Sequence, residues 1–288
     1  MAAQTAATAV RARAHPTLDA APVVKTIALP HGLTLPYVEQ GDPEGPPVLF
    51  LHGYTDSWRS FARVLGHLPP RFRAIALTQR GHGDAGRPAA GYHPRVLAAD
   101  LEDFMDALGI EEAVIAGHSM GSVVAQRFAI ENPGRTRGLV LLGAFATLNG
   151  NPVIEDLWNS DIATLTDPVD PEFVREFQES TLARPVSPAF LDMVVAESLK
   201  VPAHVWRAAL AGQMDEDVSG ALGRIAAPTL ILWGSHDSIL PRRTQDALAA
   251  GIAGAWLTVY PGAGHGLHWE EPARVAADLT AFADGLAR

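Results

Sequence analysis

Residues 111–121 read EEAVIAGHSMG, a short apolar run that leads directly into the pattern G-x-S-x-G. The run Ala113–Ala116 predicts a strand, and the following stretch, SVVAQRFAIEN, predicts a helix. A serine between a strand and a helix is the context that a nucleophile elbow requires. Because glycine has no Cβ, Gly117 and Gly121 leave room for a sharp, strained turn that exposes the Ser119 hydroxyl. The alternative is an ordinary Gly/Ser turn between the two elements.

The chain has 288 residues, of which 48% are apolar and 19% charged, and these values are typical of a globular protein. This length suits one large α/β domain, or one domain that carries an insertion. The absence of cysteine excludes disulfides, thiolate metal sites and a thiolate nucleophile. A net charge of −10 without a long basic run indicates that nucleic acid is not a partner. No apolar run approaches about 18 residues, so we expect no membrane span.

The N-terminal segment, residues 1–22, is rich in alanine and threonine and contains two arginines. It lacks the continuous apolar region of a secretory signal. We therefore interpret residues 1–22 as a flexible N-terminal extension and expect a cytoplasmic protein. We expect the protein to be either a monomer or a homodimer.

Strand-like and helix-like segments alternate in much of the chain, which predicts a mostly parallel sheet with helices on both faces. Besides the strand before Ser119, strands are predicted at residues 23–29, 33–39, 47–51, 72–77, 138–142, 229–233 and 255–260. The first two of these flank a short turn and resemble an antiparallel pair. Helices are predicted at residues 58–68, 94–108 and 272–286, in addition to the helix after Gly121.

The alternation stops in the middle of the chain, where helical patterns dominate. Helices are predicted there at residues 153–165, 171–182, 188–199 and 202–214. Prolines stand at several of the predicted starts, where a missing N–H costs little. We therefore predict an α/β core at residues 23–144 and 226–288, interrupted by a helical block at residues 145–225.

A serine hydroxyl needs an adjacent base, itself oriented by a third group, to act as a nucleophile at neutral pH. Asp237 follows the predicted strand TLILW, and His265 follows the predicted strand AWLTVY. Both therefore lie at the edge where the ligand crevices of open α/β sheets form. We interpret His265 as the base for Ser119, and Asp237 as the acid that holds the histidine in its tautomer. His236 and His268 compete for the role of base, and Asp237 has the alternative role of capping the following helix.

Acyl transfer at a serine also needs two backbone N–H groups that bind the oxyanion. One is expected from Met120, because unpaired N–H groups and the helix dipole favour negative charge at the start of a helix. The other is assigned to Tyr54, in the loop after the strand PVLFL, because Gly53 allows close approach of the backbone. We interpret the side chains of His52, Arg80 and His82 as structural groups that connect loops.

Taken together, these segments resemble the α/β-hydrolase superfamily. The matching motifs are His52-Gly53, Arg80-Gly81-His82-Gly83, Gly117–Gly121, Gly234-Ser235-His236-Asp237 and Gly262–His265. The resemblance implies an eight-stranded sheet with a helical cap inserted after the sixth strand, and no cofactor. Gln79 and Ser122 depart from the Asp and Gly that are frequent at these positions, which puts the subfamily in doubt and leaves the triad intact.

The serine at the elbow discriminates within the superfamily. Haloalkane dehalogenases and epoxide hydrolases, as families, carry Asp at the position of Ser119. The resemblance therefore implies acyl transfer, in which a small-molecule carboxylic ester or lactone is cleaved through an acyl-enzyme. A carbon–carbon bond hydrolase or a perhydrolase that uses the same triad is the second hypothesis, and a non-catalytic ligand receptor on this scaffold is the third.

The substrate pocket is expected between the helical block and the strand ends. The candidate substrate-binding residues are Gly53, Leu148, Trp158, Trp206, Ile239 and Leu267. Packing in the core is an equally good interpretation of the large side chains among them. An apolar pocket favours hydrophobic acyl or aryl esters, or macrolactones. The histidines show neither H-x₃-H nor H-E-x-x-H spacing, so no metal site is predicted.

Overall fold

Eight strands form one central sheet in the computed structural model, which describes residues 22–286. The strands are β1 (Val24–Ala28), β2 (Thr34–Gly41), β3 (Pro47–Leu51), β4 (Arg73–Leu77), β5 (Ala113–His118), β6 (Thr136–Leu142), β7 (Thr229–Gly234) and β8 (Trp256–Tyr260). Their order across the sheet is β1-β2-β4-β3-β5-β6-β7-β8, and β2 runs antiparallel to both of its neighbours. The strands β3 to β8 are parallel to one another. The predicted eight-stranded, mostly parallel sheet is confirmed.

Helices cover both faces of this sheet. The helices outside the β6–β7 connection are α1 (Ala62–Leu65), α2 (Pro94–Ala107), α3 (Met120–Glu131), α8 (Arg242–Gly251), α9 (Leu267–Glu270) and α10 (Pro272–Gly285). The β6–β7 connection contains α4 (Pro152–Leu157), α5 (Pro171–Ser180), α6 (Pro188–Ser198) and α7 (Ala203–Asp215). We call this connection, residues 143–228, the helical insertion. Its position after the sixth strand agrees with the predicted cap.

The alternation of side chains along the strands divides the core into two layers, one on each face of the sheet. On β3, Leu49 and Leu51 belong to the layer that α2, α3 and the helical insertion cover. Val48 and Phe50 belong to the opposite layer, which α1, α9 and α10 cover. All four side chains are fully buried, as expected for a parallel strand with helices on both faces.

Prolines mark the starts of the inserted helices, as the sequence predicts. Pro152, Pro171 and Pro188 lie in the first turns of α4, α5 and α6, where a missing N–H costs no hydrogen bond. Asn151 and Asp170 cap the first two of these helices, because their side chains accept hydrogen bonds from backbone N–H groups of the first turn. The insertion is therefore built from helices whose starts are specified locally.

Residues 1–21, 287 and 288 lie outside the described residues, so the predicted N-terminal extension at residues 1–22 stays a prediction. Within residues 22–286, no helix combines the length and the apolar character that a membrane span needs. The predicted domain boundaries at residues 144/145 and 225/226 fall in connecting segments, after β6 and before β7. The division into two domains stays a prediction.

The start of α3 packs against the end of β3 with no room for a side chain. A Cβ atom on Gly121 would lie 2.2 Å from the Leu51 carbonyl oxygen and 2.7 Å from that of His52. A Cβ atom on Gly117 would lie 2.2 Å from the Gly121 carbonyl oxygen. Both neighbours are backbone atoms, which cannot rotate away as a flexible side chain can. Glycine is therefore required at both ends of the G-x-S-x-G pattern.

We expect Gly121→Ala to lower the free energy of unfolding by about 3 kcal/mol or more, because overpacking costs about 1–3 kcal/mol and this backbone cannot yield. Urea unfolding followed by circular dichroism measures the change. Gly134→Ala is the control, because nothing lies within 4 Å of the Cβ that would be added there. Its expected effect is within about 0.5 kcal/mol. Equal stability of the two variants would contradict the packing argument.

Candidate active site

A cavity of about 380 Å³ lies between the carboxyl ends of the strands and the helical insertion. The loops after the strands contribute Tyr54, Ser119 and His265 to its wall. The helical insertion contributes side chains such as Ile154 and Phe177. The carboxyl edge of a parallel sheet is where ligand sites of this architecture form. The cavity therefore combines polar groups from the strand-end loops with apolar side chains from the helical insertion.

Ser119 is the single residue between β5 and α3, and its backbone takes φ 49° and ψ −114°. A positive φ costs a non-glycine residue on the order of 1–3 kcal/mol and is found mainly at functional sites. The Ser119 N–H donates to the Leu142 carbonyl at 3.0 Å. The Ser119 carbonyl accepts hydrogen bonds from Ser122 N–H and Ser122 Oγ at 2.8 and 2.6 Å. The hydroxyl of Ser122, where the resemblance favours glycine, therefore helps to hold the strained turn.

Asp237 orients His265 through a buried hydrogen bond. His265 Nδ1 donates to Asp237 Oδ2 at 2.8 Å. The other oxygen, Asp237 Oδ1, accepts from the backbone N–H groups of Ile239 and Leu240 at 2.9 and 2.8 Å. Asp237 thus caps the following turn and also binds the histidine, so both roles considered for it are compatible. Because Nδ1 carries the proton of this bond, Nε2 of the neutral imidazole is left as the basic nitrogen.

One hydrogen bond holds the His265 backbone, and the His265 ring lies close to the residue after β6. His118 Nε2 donates to the His265 carbonyl at 3.1 Å. A Cβ atom on Gly143, which has φ 48°, would lie 3.0 Å from His265 Nδ1. Glycine after β6 therefore lets the imidazole approach the sheet closely. In the described part of the chain, no hydrogen bond joins Ser119 Oγ to His265; bonds between catalytic groups often tighten only around bound substrate.

The two histidines that compete with His265 lie away from the cavity wall. His236 is exposed on the surface. His268 is buried, with its ring centroid 4.2 Å from that of His118. Of the three candidates, His265 alone shares the cavity with Ser119.

The backbone N–H groups of Tyr54 and Met120 donate to no acceptor among residues 22–286. Met120 is the first residue of α3, where the helix dipole favours a negatively charged ligand. The Tyr54 hydroxyl donates to the Trp206 carbonyl at 2.6 Å, and its ring makes edge contacts with Trp206 and Phe177. These contacts fix the Tyr54 loop while its N–H stays available to a ligand.

The loops beneath the cavity are braced by polar side chains. His52 Nε2 accepts from the Gln79 N–H, and Gln79 Nε2 donates to the His52 carbonyl, both at 2.9 Å. Arg80 forms a two-point ion pair with Asp100. His82 Nδ1 donates to the Arg80 carbonyl at 2.8 Å. The contacts of His52, Arg80 and His82 agree with their structural interpretation, and Gln79 joins the same brace.

Leu148 and Ile239 line the cavity, as the sequence analysis expects of them. Trp206 does not, because it is fully buried in the core layer beneath Tyr54. Leu267 does not, because it belongs to the core layer on the opposite face of the sheet. For these two side chains, packing in the core replaces the expected substrate contact.

Trp158 and Gly53 also lie outside the cavity wall. Trp158 is half-buried and packs against the core layer beneath the helical insertion. A Cβ atom on Gly53 would lie 2.7 Å from His118 Nδ1, so this glycine faces the buried histidine. Gly53 therefore permits close packing behind the wall and does not offer a surface to substrate.

Asp56 is a cavity residue that the sequence analysis does not identify. Its side chain is buried, with the residue 3% exposed, and it lines the cavity. Ser60 Oγ and Gln178 Nε2 donate to its carboxyl group at 3.0 and 3.3 Å. Burial raises the pKa of the carboxyl from 3.8 to about 7, although both hydrogen bonds act in the opposite direction. A carboxylate two residues beyond Tyr54, on the same strand-end loop, is the signal that would have identified it.

Comparison with known proteins decides the family. The sequence matches the description "Alpha/beta hydrolase family" over residues 48–278. The chain belongs to the alpha/beta hydrolase family. It is 30% identical over 253 residues to AB hydrolase superfamily protein YisY of Bacillus subtilis (strain 168), with 83% of this chain and 92% of the relative covered. Membership of this family supports a hydrolase activity.

Two further similarities agree with this assignment. The hydrolase is 31% identical over 261 residues to the 2-hydroxymuconate semialdehyde hydrolase of Pseudomonas sp. (strain CF600), with 84% of this chain and 89% of the relative covered. It superposes on an esterase from Exiguobacterium antarcticum with a TM-score of 0.81 at 23% identity, covering 90% of this chain and 99% of the other. The structural similarity supports the fold.

Several buried histidines of this hydrolase are held neutral. Burial lowers the pKa of His52, His118 and His268 well below the ordinary value of 6.5. Burial also lowers the pKa of His82, to about 4. Such groups bind protons more weakly in the folded protein than in the unfolded chain. Their contribution to stability is complete above pH 6.5 and is lost as the pH falls toward 4.

We therefore expect the free energy of unfolding to fall when the pH is lowered from 7 to 5. Asp56 acts in the opposite sense, because its raised pKa makes stability fall as the pH rises from about 4 to 7. The combined effect of the four histidines outweighs that of this one carboxyl group. Urea unfolding at the two pH values measures the difference. His82→Asn should make the dependence shallower, and His236→Asn, at an exposed position, is the control. A stability that is constant or rises toward pH 5 would refute this expectation.

Proposed function

We propose that this protein is a serine hydrolase that cleaves a carboxylic ester or lactone through an acyl-enzyme. One observation carries the proposal: the His265 imidazole is held by the buried Asp237 carboxylate and shares a cavity with the strained Ser119. This arrangement gives a hydroxyl nucleophile a base and gives that base an orienting acid. The chemistry needs neither a metal nor a cofactor.

In the proposed reaction, His265 Nε2 takes the proton of Ser119 Oγ as the oxygen attacks the substrate carbonyl. The imidazolium that forms is stabilised by Asp237, which stays ionised. His265 then gives the proton to the leaving alkoxide, and a bond between Ser119 and the acyl group remains. Water, activated by the same imidazole, attacks this ester and releases the acid and free Ser119.

The negative charge of each tetrahedral intermediate falls on the former carbonyl oxygen. The N–H groups of Tyr54 and Met120 are proposed to bind this oxygen, since neither has another acceptor in residues 22–286. Preorganised donors of this kind are typically worth about 10²- to 10³-fold in kcat. The dipole of α3 adds to the stabilisation at Met120.

The wall of the cavity supports an apolar substrate. Phe145, Leu148, Ile154 and Leu210 line it together with Ile239. A small neutral ester or lactone with a hydrophobic acyl or aryl group fits this surface and a volume of about 380 Å³. The cytoplasmic location and the choice between monomer and homodimer stay predictions.

A second candidate is hydrolysis of a carbon–carbon bond, which the similarity to a 2-hydroxymuconate semialdehyde hydrolase favours. The two activities share the same three side chains, so the triad does not distinguish them. We expect turnover of a nitrophenyl acyl ester and no cleavage of a vinylogous diketone acid when both are assayed with one enzyme preparation. Faster cleavage of the diketone acid would select the second candidate.

Substitution of the nucleophile tests the proposal directly. We expect Ser119→Ala or His265→Ala to lower kcat for a nitrophenyl acyl ester by about 10³-fold or more, because nucleophile and base act as a unit. The measurement is release of nitrophenolate, corrected for the reaction without enzyme. A fluorophosphonate should label the wild-type protein at Ser119 and fail to label Ser119→Ala.

The matched control is Ser187→Ala, at an exposed serine that caps α6 without a side-chain hydrogen bond. This variant should keep both turnover and labelling. Near-normal ester turnover by Ser119→Ala would exclude the assigned nucleophile. Labelling that survives in Ser119→Ala would locate the reactive group elsewhere.

A further inference from the structure

The proposed mechanism leaves one buried acid of the cavity wall without a role. Asp56 lies on the loop after β3, where Thr55 turns the backbone with φ 63°. The turn directs the Asp56 side chain inward, so that the residue is 3% exposed and lines the same cavity as Ser119 and His265. An acid buried at a reaction site requires an explanation, because burial of an ionisable group is energetically costly.

The contacts of the carboxyl group come from neutral donors. Ser60 Oγ donates to Oδ2 at 3.0 Å, and Gln178 Nε2 donates to Oδ1 at 3.3 Å. Among the ion pairs of residues 22–286, none includes Asp56. A carboxylate has about four acceptor positions, so these two bonds leave capacity for a ligand.

The groups packed around Asp56 determine its charge. Burial raises its pKa to about 7, whereas His265, which lines the same cavity, acts to lower it. His268 contacts Ser60 on the far side, and burial lowers the pKa of His268 well below its ordinary range. Gln178, from α5, is uncharged. Near neutral pH the carboxyl group therefore exists in both forms, and above pH 7 it is mainly an acceptor.

The rest of the wall carries no positive charge. No lysine or arginine within residues 22–286 lines the cavity, while Asp156 and Asp161 contribute further acidic groups at exposed positions. An anionic ligand would lose its hydration without gaining a cationic partner, and would also meet these carboxylates. The cavity therefore disfavours substrates with a free carboxylate near the reacting carbonyl.

We propose that Asp56, positioned by Gln178, forms a polar subsite beside Ser119 that binds a hydroxyl or amide N–H of an uncharged, otherwise apolar ester. This inference rests on the proposed function and narrows its substrate class. An asparagine at this position would cost less to desolvate, but its single carbonyl oxygen would accept only one of these two hydrogen bonds. A carboxylate gives a stronger, charge-assisted hydrogen bond to a hydroxyl donor on the substrate.

Four nitrophenyl esters test the subsite with the wild-type enzyme at pH 8. They are the butanoate, both enantiomers of the 3-hydroxybutanoate, and the hydrogen succinate, which is an anion. Each kcat/KM is divided by the rate of hydroxide hydrolysis of the same ester. We expect one hydroxylated enantiomer to exceed the butanoate about tenfold, which corresponds to one added hydrogen bond to a charged group. We expect the anionic ester to fall about tenfold below the butanoate or lower.

The substitution Asp56→Asn tests whether Asp56 is responsible for the preference for the hydroxylated ester. The ratio of the hydroxylated ester to the butanoate should fall to about one, mainly through a higher KM for the hydroxylated ester. The wild-type ratio should also change between pH 6 and 8, and the ratio in Asp56→Asn should not. Glu155→Gln is the matched control, because Glu155 is exposed on α4 and lies outside the cavity wall. It should keep the wild-type ratio.

The outcomes distinguish failure of the proposed subsite from failure of the proposed reaction. Hydrolysis of all four esters without preference, or an unchanged ratio in Asp56→Asn, would overturn the subsite and leave the proposed serine hydrolase intact. Preference for the anionic ester would also overturn it. If Asp56→Asn does not fold, the wild-type series decides alone. Hydrolysis of none of the esters would overturn the proposed function together with the subsite.

Discussion

The close approach of three backbone segments around Ser119 is the constraint on which the site depends. The end of β3 lies so near the start of α3 that a Cβ on Gly121 would reach within 2.2 Å of the Leu51 carbonyl oxygen. Because α3 starts so close to the end of β3, a single residue, Ser119, joins β5 to α3. This residue takes a positive φ. The sheet packing thus supplies the energy that holds Ser119 in a strained conformation. A looser junction would let the serine relax and withdraw from the cavity.

A second consequence of this packing is a row of buried histidines, of which His118 and His265 line the cavity and His268 lies behind the wall. His118 lies between the rings of His265 and His268, at centroid distances of 4.9 and 4.2 Å. Burial keeps His118 and His268 neutral, so they contribute hydrogen bonds without adding positive charge beside His265, the proposed base. The hydrogen bond from His118 to the His265 carbonyl then fixes the loop that carries the base. A neutral His118 is therefore suited to hold the His265 loop without placing a positive charge beside the imidazole.

The sequence predicts those features that are encoded locally, and these include most of the fold. Apolar runs identify the central strands, and the order of Ser119, Asp237 and His265 at strand ends identifies the residues that the structure brings together. The cavity wall is different, because it depends on which side of each inserted helix faces the sheet. Trp206 is an example: its helical pattern indicates burial, but only the packing of α7 shows that it lies beneath Tyr54. Asp56 is another example: its place on the loop after β3 marks it as a candidate, but only the folded loop shows that its side chain turns into the cavity.

Tyr54 links the proposed reaction to the proposed specificity. Its backbone N–H is assigned to the oxyanion, while its hydroxyl donates to the Trp206 carbonyl of α7 and its ring contacts Phe177 of α5. The helix α5 also carries Gln178, which donates to Asp56. One loop after β3 therefore holds both the proposed oxyanion donor and the proposed polar subsite, and two inserted helices fix its position. Because interiors packed at this density transmit small displacements, the fit of a substrate against α5 and α7 bears directly on the geometry of the oxyanion donor. In the proposed mechanism, substrate selection and transition-state stabilisation thus depend on the same contact between the sheet and the helical insertion.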